Sequence, residues 1–182
     1  MNVSWDDAAL PSPFLPFTPL GGVVQGTNYQ YILNGGSYSL ATLKLSGGRG
    51  MLVSGNAVLY VAGDISISGG GYIYIAPGAT FQLYVGGASS SIGGGGIINR
   101  SGIAANFSYF GLTNNTSLVY SGGAAFVGTV YAPEAHVSFC GQGSMYGACI
   151  VNSYSSVGGS SVHYDETLSG ASYLALTSYT EL

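Results

Sequence analysis

Leu59-Tyr60-Val61-Ala62-Gly63 returns about 24 residues further on as Leu83-Tyr84-Val85-Gly86-Gly87, with one Ala/Gly change in five positions. An offset of that size matches one coil of a β-solenoid, where each unit buries its apolar face by stacking on a copy of itself. The corners recur with the strands. Ser followed by Gly closes an apolar stretch at Ser46, Ser54, Ser68 and Ser121, and Ile75-Ala76-Pro77-Gly78-Ala79 is echoed by Tyr131-Ala132-Pro133-Glu134-Ala135. Phe126-Val127-Gly128-Thr129-Val130-Tyr131-Ala132 overlays Met145-Tyr146-Gly147-Ala148-Cys149-Ile150-Val151 at a shorter offset of about 19.

Within a coil, the side chains alternate. Ile65, Ile67, Ile73, Ile75, Phe81, Leu83 and Val85 fall on one face by the period of two of a strand, while Ser66, Tyr72, Tyr74, Gln82 and Tyr84 fall on the other. The first face is the expected core and the second the expected wet face. Stacked coils pair each strand in parallel with its counterpart, and Gly at the corners supplies the positive-φ positions that bends need. The expected fold is all-β, a right-handed parallel β-helix. The alternative is an antiparallel β-sandwich, which gives no reason for LYVAG to return as LYVGG.

Composition agrees. The 182 residues include 31 glycines, yet 47% are apolar, enough for a core. Charged residues make up only 5%, against about a quarter in a typical domain, so Ser, Asn, Thr, Tyr and backbone must form most of the wetted surface. The helix formers Glu, Lys, Arg and Gln are scarce. Net charge is −4 with Lys44, Arg49 and Arg100 as the only Lys and Arg, which argues against nucleic acid as a partner. No apolar run approaches the ~18 residues of a membrane span, so membrane insertion is not expected. The N-terminus lacks the basic-then-apolar pattern of a signal peptide.

Three segments are expected. Residues 1–21 form an extended leader, because Pro11, Pro13, Pro16 and Pro19 favour polyproline-like chain and Phe14, Leu15 and Phe17 give it something to bury as a strap. Residues 22–168 form the solenoid. Residues 169–182 form a strand-like tail, with the alternation Ala171-Ser172-Tyr173-Leu174-Ala175-Leu176-Thr177 suited to a cap or to addition to a neighbour.

Chemistry-bearing residues are sparse. Asp64 stands alone, Glu134 sits in a Pro corner, and Asp6 and Asp7 lie in the leader, so no acid pair for glycoside cleavage is visible. His163 and Asp165 share one strand face. With Glu166 they are expected to tie down the last coil by hydrogen bonds, where a solenoid would otherwise expose an edge. His136 and Cys140, four apart on a strand, stand about 13 Å apart, too far for proton transfer. Cys140 and Cys149 are expected as small buried hydrophobes, with a disulfide as the alternative. Gly93–Gly96 lacks the Lys-Ser/Thr of a phosphate loop. No cofactor, no metal and no catalytic residue are expected.

The run Gly63-Asp64-Ile65-Ser66-Ile67-Ser68-Gly69, the stretch Ala76-Pro77-Gly78-Ala79 leading to Leu83-Tyr84-Val85-Gly86-Gly87, the segment Phe126–Pro133 and His163-Tyr164-Asp165-Glu166 resemble a bacterial domain of unknown function. That domain forms the C-terminal part of secreted, pilin-like or surface-anchored proteins. The resemblance covers residues 22–168 and implies an extracellular or cell-surface location and a β-helical shape, with no established activity. The chain lacks the N-terminal anchoring helix of longer members, so it is expected to be a piece of a larger protein.

The tyrosines are the strongest remaining hint. Tyr60 and Tyr84 hold matched places in successive coils, with Tyr72 and Tyr74 on a neighbouring strand, an aromatic strip suited to assembly, adhesion or glycan stacking. The expected function is a non-enzymatic extracellular structural or adhesive module of a pilus-like or cell-surface protein. Its partners would be further copies of itself, other surface components, or glycans. The alternative is a carbohydrate-active module that binds or cleaves a polysaccharide along the solenoid.

Overall fold

The computed structural model describes residues 5–141 and 144–170 of the chain. Of the expected tail at residues 169–182, residues 171–182 lie outside the described residues.

The chain winds through about six turns of a parallel β-solenoid. β1 (Leu20–Val24) opens it as a hairpin with β2 (Thr27–Leu33), the one antiparallel pairing among the described strands. β2, β3 (Gly36–Leu40) and β4 (Leu43–Leu45) make the first coil, and β5 (Gly50–Val53), β6 (Ala57–Val61) and β7 (Ile65–Ile67) make the second. β8 (Tyr72–Ile75), β9 (Phe81–Val85) and β10 (Ser89–Ile92) make the third. β11 (Gly96–Asn99), β12 (Phe107–Gly111) and β13 (Ser117–Tyr120) make the fourth. Each strand pairs in parallel with its counterpart one coil away, which excludes the sandwich. Tyr60 and Tyr84 are direct register partners.

Three walls result. The first is β2-β5-β8-β11. The second, β3-β6-β9-β12, and the third, β4-β7-β10-β13, join through the long β14 (Phe126–Cys140). β14 and β15 (Met145–Val157) each serve both of these walls, and the first wall ends with β11, which explains the shorter late period. β16 (Val162–Tyr164) begins another turn, and among the described residues helix is confined to 3₁₀ turns at Ala104–Asn106 and Glu166–Gly170. Among the described residues no helix is long and apolar enough to cross a membrane.

Register makes the core a set of columns. Leu45, Ile67, Ile92, Tyr120 and Phe139 follow one another through five coils of the third wall, all buried. Aromatic residues replace aliphatic ones where the first wall ends. Phe126 lies 5.3 Å from Phe107, 5.4 Å from Tyr120 and 5.7 Å from Phe139 between ring centres, so large rings from two walls occupy the space that three walls enclosed earlier. The Tyr120 hydroxyl donates to the Ala124 carbonyl and accepts from Ile97 N–H, and burial pushes its pKa up to about 12. Ser90 interrupts an inner column but is satisfied: its hydroxyl lies 2.7 Å from that of Tyr109, which donates to Asn115 Oδ1, while Asn115 donates to the Gly87 carbonyl. Burial drives the Tyr109 pKa well above its ordinary value.

The last glycine of the opening repeat now has its reason. A Cβ on Gly87 would lie 2.2 Å from the carbonyl carbon of Gly63, its counterpart one coil earlier. Two corners stack backbone on backbone, with no room for a side chain between them. Gly87→Ala is expected to destabilise the fold by about 2 kcal/mol or more, measured by urea unfolding, because the neighbour that must yield is main chain. An unchanged midpoint would contradict this stacking.

Candidate functional site

The outward column of the second wall runs Ser39, Tyr60, Tyr84, Phe110, Tyr131, Ile150. Tyr84 and Phe110 stack at 4.6 Å with planes 13° apart, as side chains one coil apart must when the strands are in register. The leader lies along this column, running against the direction of coil succession. Near the late coils the Tyr131 hydroxyl donates to the Asp6 carbonyl at 2.5 Å, and Thr113 donates to Asp7 Oδ2 at 3.1 Å. Further on, the Phe14 ring meets Tyr60 edge-on at 6.3 Å. Phe17 then bridges to the first coil, its N–H donating to Ser37 and its carbonyl accepting from Ser39.

Tyr84 therefore points outward as its strand position requires, yet it is only 7% exposed. Its place between Tyr60 and Phe110, under the path of the leader, closes it off, and burial raises its pKa. Tyr131 is raised as well, first by burial and then by the charges of Asp6 and Asp7.

Tyr72 and Tyr74 belong to a different wall, so the four expected tyrosines form two patches. Tyr72 follows Gly50 in its column, and the Tyr72 ring occupies the space that a side chain at Gly50 would fill. This brings it edge-on to Tyr29 at 6.4 Å. Tyr29 has a raised pKa, from burial first and then from the neighbouring Tyr72 and Tyr74.

The third wall carries a feature not anticipated from the repeats. Its outward columns are Ser89-Ser117-His136-Ser153 and Lys44-Ser66-Ser91-Val119-Ser138-Ser155. His136 sits where the two meet, with Nδ1 2.7 Å from Ser153 Oγ and Nε2 3.1 Å from Ser155 Oγ. The legible signal was Ser at every second position of successive strands, as in Ser89, Ser91 and Ser153, Ser155.

In the terminal coil, His163 and Asp165 take separate partners. His163 Nε2 lies 2.9 Å from Ser161 Oγ, and its ring stacks on Tyr146 at 4.6 Å. Asp165 Oδ1 accepts from Thr167 N–H and Oγ1 at the turn that Glu166 begins, and Leu168 from that turn is buried against Ala104 and Ala148. Both cysteines are free, and burial raises the Cys149 thiol. Asp64 accepts from the Ser89 N–H. Among the described residues, no three His, Cys, Asp or Glu side chains converge to hold a metal ion.

A profile of the family described as domain of unknown function DUF7305 matches residues 20–171. The chain belongs to this family. The match begins with β1 and includes every described strand. No curated protein and no solved structure matches the chain.

Trp5, the single tryptophan of the chain, lies on the leader beside Ile150 and Tyr164 and reports leader docking. Tyr131→Phe removes the bond to Asp6 and should shift Trp5 emission to the red with little change in far-UV circular dichroism. In the parent chain, the raised Tyr131 pKa means that this contact is intact below the ordinary tyrosine value of about 10 and weakens as pH rises above it, giving the same shift. Identical emission from parent and variant across that range would contradict the strap.

Proposed function

We propose that this DUF7305 domain is a structural or adhesive module of an extracellular, cell-surface or pilus-like protein, working through its walls. The observation that supports this reading most is the outward chemistry of those walls: register-aligned columns of Tyr and Ser in a chain with only 5% charged residues. Such a wall meets a broad partner surface through aromatic contact and uncharged hydrogen bonds, without stripping water from many ions. The resemblance to C-terminal domains of secreted pilin-like and surface-anchored proteins supports the location. Fitting partners are further copies, other surface components, and glycans stacking on Tyr72 and Tyr74 of the first wall.

Antibody raised to the domain and applied to intact cells of the source is expected to label them without permeabilisation. The purified chain is expected to be retained on a cell-wall polysaccharide or surface-protein matrix, with Tyr72→Ala/Tyr74→Ala lowering retention about tenfold while the melting temperature stays within a few degrees. Labelling only after permeabilisation would contradict the location. Release of new sugar ends from the polysaccharide would replace this reading with the carbohydrate-active one.

A further inference from the structure

The leader carries acids to the far end of the solenoid. Asp6 and Asp7 stand at the start of the sequence, but their contacts to Tyr131 and Thr113 place them beside the late coils. Glu134, Asp165 and Glu166 belong to those late coils by sequence. Among the described residues, Asp64 is the one acid in the first two coils, and it is engaged by Ser89 N–H. Two of the three cations lie at the other end. Lys44 lies on β4, the terminal strand of the third wall, and Arg49 lies in the next corner, both exposed. Arg100 follows β11 in the fourth coil. A chain with few charges is thus polarised along its axis, positive at the first coils and negative at the last.

The two ends also share apolar, unpaired character. At the first end, Leu15, Phe17, Leu20 and Val23 are between 69% and 78% exposed. Residues 8–43, which build this end, contain no Asp, Glu, Lys or Arg, although edge strands are ordinarily guarded by charge. At the last end, Val157, Val162 and Tyr164 are exposed. Among the described strands, β4 is paired only with β7, and the second half of β15 only with β14, so the third wall ends in an open parallel edge both ways.

From this charge complementarity we infer that copies of the chain associate head to tail, the Lys44/Arg49 end of one against the Asp6/Glu166 end of the next. The inference rests on the proposed structural role and specifies how that role is built. The contact is heterologous, since two different ends meet, and repetition of it gives a linear array rather than a closed dimer. Charge sets the direction and apolar contact supplies the burial.

The test is a charge swap on the full chain, read by sedimentation velocity and electron microscopy at low salt. Lys44→Glu/Arg49→Glu makes both ends negative, and Asp6→Lys/Glu134→Lys/Glu166→Lys, which leaves three new lysines against Asp7 and Asp165, makes both ends positive. The parent should form end-joined rods, each variant alone should associate at least about tenfold more weakly, and an equimolar mixture should regain association. Equal association by either variant alone, no gain on mixing, or a parent that stays monomeric at every concentration would overturn the inference. Should a variant fail to fold by circular dichroism, the parent decides. Its association should weaken at least about tenfold between roughly 0.05 and 0.5 M salt, and indifference to salt would overturn the inference. Surface labelling of cells is independent of these outcomes, so a failed swap with labelled cells removes head-to-tail stacking and leaves the structural role standing.

Discussion

Parallel in-register pairing of each strand with its own counterpart one coil away is the constraint on which the rest of this structure depends. It places coils about 4.8 Å apart and sets like positions over like positions. A column therefore has to be acceptable at every level. Inside, this yields runs such as Leu45-Ile67-Ile92-Tyr120-Phe139. At the corners it presses Gly87 onto Gly63, and outside it stacks Tyr84 on Phe110. The late narrowing obeys the same rule: when the first wall ends, Phe107, Phe126, Tyr120 and Phe139 take up the volume without breaking the pairing of β14 with β15.

Register also shapes the surface, and this is where fold and proposed function connect. A side chain on an outer column contacts its neighbours above and below, so a repeat of tyrosine becomes a continuous aromatic strip and a repeat of serine a hydroxyl strip. The second-wall strip is taken up by the leader. The first-wall tyrosines and the third-wall serines are left as the broader exposed chemistry, and the ends carry the charge. Walls and ends thus offer different kinds of contact from one winding.

The fold was legible because its evidence is local and repeated. LYVAG and LYVGG lie a coil apart, and the period-two alternation within each strand separates Ile65 and Ile67 from Ser66. The site was less legible, for physical reasons. Whether Tyr84 is wet depends on the leader, whose path is fixed by contacts such as Tyr131 to Asp6, 125 positions apart. Nothing in the alternation of β9 encodes it. The serine columns were obscured because Val119 and His136 interrupt them and because the coil length changes between β10 and β14, which hides the alignment from a fixed-offset comparison. His163 and Asp165 share a strand face in sequence, yet Ser161, Tyr146 and Thr167 lie nearer as partners.

The central claim is that successive coils rise along one axis in parallel register, and distance along a single outer column tests it most directly. With Cys140 and Cys149 replaced by Ala, nitroxide labels at Lys44→Cys paired with Ser138→Cys, and at Lys44→Cys paired with Ser155→Cys, report separations by pulsed electron paramagnetic resonance. Those positions stand four and five coils from Lys44 in the column. The account predicts backbone separations of about 19 Å and about 24 Å, increasing by one coil rise between the two pairs. A Ser155 label no farther from Lys44 than the Ser138 label would contradict parallel stacking.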